Sequence, residues 1–199
     1  MARKLPDQMF EHGIDVKKGW FDMAALDFQA KLHEDVEFDL PAGRIVHVAE
    51  VEVDDNGKPT SYFKPGCHAT GPSMTLINGS ADFDVANAGT TNAGNFMHKA
   101  VMPGGELTGL VHTAGYEIES TEYDDAQTYE VNQLLTSRQG VVEATEGYAG
   151  VLTNQKTGGG AVRAFTDSVC GIVSTGEHLN HNRIGTLAYW TYHLPGGVY

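Results

Sequence analysis

Residues 34–48 read EDVEFDLPAGRIVHV, and their alternation decides the fold class. Val36, Phe38 and Leu40 alternate with Glu37 and Asp39, a period of two that puts apolar side chains on one face of a strand. Pro41-Ala42-Gly43 then turns the chain into Arg44-Ile45-Val46-His47-Val48. The stretch therefore predicts a hairpin with a Gly-containing, three-residue turn.

Downstream the same grammar repeats. Val51 and Val53 lead into Asp54-Asp55-Asn56-Gly57, a turn with Gly where positive φ is needed. Phe63-Lys64-Pro65-Gly66 punctuates again, and Met74-Thr75-Leu76-Ile77 reads as a short strand closed by Asn78-Gly79. Residues 84–105 are rich in Asn, Gly and Ala and carry no period, which marks a long loop or lobe junction. The pattern resumes at Tyr116-Glu117-Ile118-Glu119, Gly150-Val151-Leu152-Thr153 and Ser168–Val173. It ends in Leu187–Leu194, where Ala188, Trp190, Tyr192 and Leu194 share the face expected to line the core. Short strands separated by turns at this spacing predict a mainly β protein, a small barrel or sandwich that can divide into two β lobes.

Upstream the period differs. Phe21, Ala25, Phe28 and Leu32 fall at i, i+4, i+7 and i+11, so residues 20–33 predict a short amphipathic helix. Residues 1–33 are read as an N-terminal arm, 34–105 as the first β lobe with its Gly/Asn-rich loop, and 106–199 as the C-terminal lobe. Charge supports the first boundary. Residues 1–33 hold five bases and five acids, leaving eight bases and 21 acids for the remainder.

The net charge of −13 argues against nucleic acid as a partner, because proteins bind phosphate backbones by placing Lys and Arg on them. No apolar run approaches the ~20 residues that span a bilayer, so no membrane partner is expected. Cys67 and Cys170 are the two cysteines. They read as small buried thiols rather than as a disulfide framework or a zinc site.

Candidate chemistry is sparse. His178 and His181 are three apart in a Gly- and Asn-bounded loop, not at the i, i+4 helical spacing of a metalloprotease pair. Asp54-Asp55-Asn56-Gly57 lacks the alternate acids and distal Glu of a calcium loop. Ser61-x-x-Lys64 and Lys156-Thr157-Gly158 match fragments of penicillin-recognising enzymes without the third element. No catalytic, cofactor or metal residue is assigned. Tyr116–Glu130 (YEIESTEYDDAQTYE) holds six acids, three tyrosines and no base, and is expected to be a solvated face rimmed by contact tyrosines. The expected partner-binding residues are Trp20, Phe21 and Phe28 in the arm, with Tyr116, Tyr123 and Tyr129.

The order of these features resembles a known group. The Leu40-Pro41-Ala42-Gly43 hairpin, the Asn-Gly and Pro-Gly turns, the acidic strand after a Gly-rich junction, Gly150–Thr153, Val169–Ser174 and the closing aromatic strand ending Leu194-Pro195-Gly196 together look like capsid decoration (cement) proteins of tailed phages. The resemblance implies a virion protein made in the host cytoplasm. It would bind the outside of the major capsid protein shell as a homodimer or homotrimer, without catalysis or cofactor. Two other readings stay open: a tail, baseplate or fibre subunit of the same virion, and a small β-barrel ligand-binding or metal-dependent enzyme module using His178 and His181.

Overall fold

The computed structural model describes residues 14–18, 29–67, 73–78, 101–107, 109–111, 115–137, 149–155, 160–162, 169–174 and 187–192. Eleven strands run through them: β1 (Ile14–Lys18), β2 (Gln29–Leu32), β3 (Ile45–Val53), β4 (Pro59–Pro65), β5 (Ser73–Asn78), β6 (Gly109–Val111), β7 (Glu117–Ser120), β8 (Leu134–Ser137), β9 (Leu152–Thr153), β10 (Gly171–Val173) and β11 (Leu187–Thr191). They form a six-stranded sheet, β1-β7-β11-β10-β8-β9, and a five-stranded sheet, β2-β4-β3-β5-β6. The protein is mainly β, as its alternation predicts. Among the described residues neither sheet closes on itself, so the barrel alternative gives way to two open sheets.

The start of β3 joins the two. Neighbouring residues of a strand point to opposite faces, and here each face is a core. Val46 packs with Leu32, Val36, Leu40, Phe63, Leu76 and Val101. Ile45 packs on the other side with Ala42, Cys67, Ile118, Leu135, Leu152 and Tyr189. β5 repeats the division, with Leu76 in the first core and Thr75 hydrogen-bonded to the Tyr189 hydroxyl of the second at 3.0 Å. Gly43 sits at this junction with φ +96°. A Cβ there would stand 2.6 Å from Ser120 Oγ, so both its conformation and its contact require glycine.

Three expectations change. Residues 29–32 are not the last turn of a helix but strand β2, parallel to β4 in the register Gln29–Thr60 to Leu32–Phe63. Ala30 and Leu32 are buried in the five-stranded sheet's core. Ala30 and Leu32 satisfy a period of two as well as Leu32 satisfies the helical stripe, and backbone partners on both sides select the strand. Leu32 donates to Gly105 on the far side and Leu107 donates to Ala30. Next, Val36–Leu40 keeps its expected burial, with Glu37 and Asp39 outward, but is not one arm of a hairpin. Leu40 instead exchanges both backbone bonds with Val101 at 2.8 Å. The hairpin in this region is β3–β4, closed by residues 54–58.

The third change concerns β11. Tyr189, expected on the outer face, is fully buried in the core, while Trp190 is only half-buried. The physical reason lies on β10: Gly171 has no side chain, and a Cβ there would lie 2.7 Å from the Tyr189 ring. The ring occupies that space and its hydroxyl reaches Thr75, which answers the requirement that a buried tyrosine oxygen find a partner.

Candidate functional site

The β3–β4 hairpin separates into a buried root and an exposed blade. Ile45 and Val46 are buried, whereas every residue from Ala49 to Lys58 is exposed. Val51 and Val53 are 55% and 64% exposed, the values of surface residues rather than of strand valines. The tip is a built turn. Asp54 Oδ1 accepts from the Asn56 and Lys58 amides at 2.9 and 2.8 Å, and the Asp54 amide donates to the Lys58 carbonyl at 3.0 Å. Those bonds occupy the carboxylate with backbone donors, as expected of an Asx turn.

Backbone register decides what the blade offers. β3 pairs with β4 along its length, but with β5 only over Ile45–His47. Beyond His47 its outer edge carries no strand among the described residues. In an antiparallel ladder, hydrogen-bonded and non-bonded pairs alternate. Asp54 bonds Lys58, so Val53–Pro59 is non-bonded, Glu52–Thr60 bonded, Val51–Ser61 non-bonded and Glu50–Tyr62 bonded. Pro59, which has no N–H to give, occupies a non-bonded position. The Phe63 carbonyl, two residues along from Ser61, accepts from His33 on the opposite side, which agrees with this phase. Val51 and Val53 therefore turn their N–H and C=O groups to the open edge.

One face of the blade is acidic. Glu50 and Glu52 flank Tyr62 across the ladder. The Tyr62 hydroxyl is held above its ordinary range first by its hydrogen bond to Glu52, then by burial and by the charges of Glu52, Glu34 and Glu50. At the root of this face His33 lies 3.5 Å from Glu50 and 3.4 Å from Asp35. Lys64 donates to Asp35 at 3.0 Å, and that bond keeps the Asp35 carboxyl below its usual range.

The other acidic stretch behaves differently. Glu117, Glu119, Glu122 and Asp124 are buried, so most of Tyr116–Glu130 is not the solvated face its composition suggests; Asp125 and Glu130 alone among its acids are exposed. Ser174 donates to Glu117 Oε1 at 2.5 Å. Arg44 Nε pairs with Glu122 Oε2 at 2.5 Å, both side chains buried, and Arg44 Nη1 donates to the Ala149 carbonyl at 2.7 Å. These contacts tie the root of β3 to the segment that follows β7.

Of the expected contact residues, Tyr116, Tyr123 and Tyr129 are half-buried and packed against the core of the six-stranded sheet. Tyr129 donates to the Asp124 carbonyl at 2.8 Å and meets Tyr123 edge-on at 5.7 Å. Burial, then the Asp124 charge, pushes the Tyr129 hydroxyl well above its usual range. Trp20, Phe21 and Phe28, like His178, His181 and Lys156–Gly158, lie outside the described residues. The structure thus packs the three tyrosines against one core, brings Tyr123 and Tyr129 together, and places the blade elsewhere. Glu50-Val51-Glu52-Val53 is visible in sequence as alternation before a turn, but alternation does not tell whether β5 continues beside it.

Other reactive groups are accounted for within the cores. Cys67 and Cys170 are buried and form no disulfide, and the Cys170 thiol donates to the Leu135 carbonyl at 3.6 Å. Burial and the neighbouring Cys67 push the Cys170 thiol up. Ser61 and Lys64 lie on β4 rather than on one face of a helix: Ser61 is buried, and Lys64 is engaged by Asp35. Among the described residues no group of three or more His, Cys, Asp and Glu is placed to hold a metal ion. Comparison with known proteins finds no family model, no curated protein and no solved structure that matches this chain.

Proposed function

We propose that this chain is a structural subunit that attaches to the outer surface of a tailed-phage major capsid shell and stabilises it, as a homodimer or homotrimer. The supporting observation is the β3–β4 blade: an ordered hairpin anchored in two cores at one end and exposed from Ala49 to Lys58 at the other. A projecting hairpin with valines at 55% and 64% exposure offers a subunit that docks both apolar side chains and strand backbone for contact. The resemblance of the strand and turn order to decoration proteins supplies the shell as the partner. Net charge of −13 favours a protein partner over the packaged nucleic acid.

Quantitative mass spectrometry of purified virions tests this. A decoration subunit is present in copy numbers comparable with the major capsid protein. A few copies per particle would assign it to the tail, baseplate or fibres instead, and its absence from virions would overturn the proposal.

A further inference from the structure

The blade also states the chemistry of what it binds. We infer that the open edge of β3 takes an extended segment of a partner protein by strand addition, in which Lys or Arg alternates with small apolar residues. The inference deepens the attachment reading, on which it rests for the partner being a protein.

The edge has the two elements that strand addition uses, backbone groups and alternating side-chain sites. Val51 and Val53 direct their N–H and C=O groups outward, as the β3–β4 register requires. An added strand would satisfy them at the usual ~4.8 Å spacing. Its side chains would then alternate between two environments. Those on one face would lie beside Glu50 and Glu52, and those on the other beside Val51 and Val53. The first face selects cations: Glu50 and Glu52 both stand on it across from Tyr62 and Thr60, and Lys58 is the single base against four acids between Ala49 and Lys58. The second face selects apolar side chains.

A second copy of the same edge is a poor occupant. Antiparallel self-pairing centred on Glu52 sets Glu52 against Glu52 and Glu50 against Asp54, and like charges placed directly opposite destabilise a pair. The same acids guard the edge against aggregation. They therefore exclude self and admit a basic strand through a single arrangement of charge.

The test uses the full chain and two synthetic eight-residue peptides, one alternating lysine with valine and one alternating glutamate with valine. Binding is followed by titration and by amide hydrogen exchange at single residues. The lysine peptide should bind, weaken as salt shortens the ~10 Å screening length of 0.1 M solution, and slow exchange of the Val51 and Val53 amides by about tenfold or more at saturation. Glu50→Lys with Glu52→Lys should reverse the preference toward the glutamate peptide. Val51→Pro with Val53→Pro removes the two outward donors together with the valine side chains and should weaken lysine-peptide binding by at least about tenfold, a loss of about 1.4 kcal/mol. Absence of binding overturns the inference, as does binding without protection at Val51 and Val53. So does an unchanged preference in the lysine variant, which decides the matter even if the proline variant misfolds. Virion mass spectrometry is independent of these outcomes: peptide binding by a protein missing from virions would sink the capsid reading and leave the edge assignment standing.

Discussion

The blade and strand β7 are built from nearly the same local sequence, yet they meet opposite fates. Glu50-Val51-Glu52-Val53 and Glu117-Ile118-Glu119-Ser120 both alternate an acid with a smaller or apolar residue. The first is wholly exposed, and all four residues of the second are buried. Strand position makes the difference. β7 lies between β1 and β11, so its backbone is paired on both sides, and Ser174 meets Glu117 above it. Among the described residues the outer half of β3 has a neighbour on one side only. Acidity by itself therefore does not mark a solvated surface: buried carboxylates persist where hydrogen bonds and a cation meet them.

The largest expected effect breaks the comparison at its buried end. Arg44→Ala leaves Glu122 in the interior without its cation, and should cost about 3–5 kcal/mol, the penalty for orphaning half of a buried pair. Urea unfolding measures it. A loss under 1 kcal/mol would mean that water reaches Glu122 and that the two regions differ little in how they hold their acids.

A smaller effect concerns the core facing β7. Tyr189→Phe should lose about 1–2 kcal/mol by leaving Thr75 without the phenol. It should also alter the alkaline limb of stability. Burial raises the Tyr189 hydroxyl above its ordinary range, so the folded chain keeps a proton that the unfolded chain releases near pH 10. Stability from this group is intact below that pH and falls as pH rises beyond it. The phenylalanine variant should show a shallower decline in melting temperature above pH 10. An unchanged slope would remove Tyr189 as its source.

At the exposed end, Glu50→Gln with Glu52→Gln should change stability by no more than about 0.5 kcal/mol, as surface substitutions do. A loss matching that of Arg44→Ala would show the blade to be a structural element in its own right.

How far the sequence carried these distinctions varies by element. β3, β5, β7 and β11 are legible because turn residues bound short alternating runs. Ala30 and Leu32 were readable either as a helical stripe or as one face of a strand, and only the β4 and 104–107 partners resolve them. In β11 Ala188 is buried as its alternation predicts, but so are Leu187, Tyr189 and Thr191 on the opposite face; alternation gives no inside when both sides are covered. The acids of 116–124 read as solvated in sequence for a related reason. Their cation, Arg44, is 78 residues from Glu122 in sequence, beyond any local pattern. The blade's sequence is plain, but its edge is defined by where the β3–β5 pairing ends among the described residues, at His47 and Ser73.

Amide hydrogen exchange on the free protein, read residue by residue, tests that contrast most directly. Protection reports whether each N–H is held by a partner and how rarely it opens. The amides of Ile118 through Ser120 should exchange slowest, near the rate set by global unfolding. Glu50 and Glu52, which face β4, should show intermediate protection, while Val51 and Val53 should exchange close to the rate of an unstructured chain. Protection of Val51 and Val53 equal to that of β7 would mean the edge is already covered, and would contradict the account.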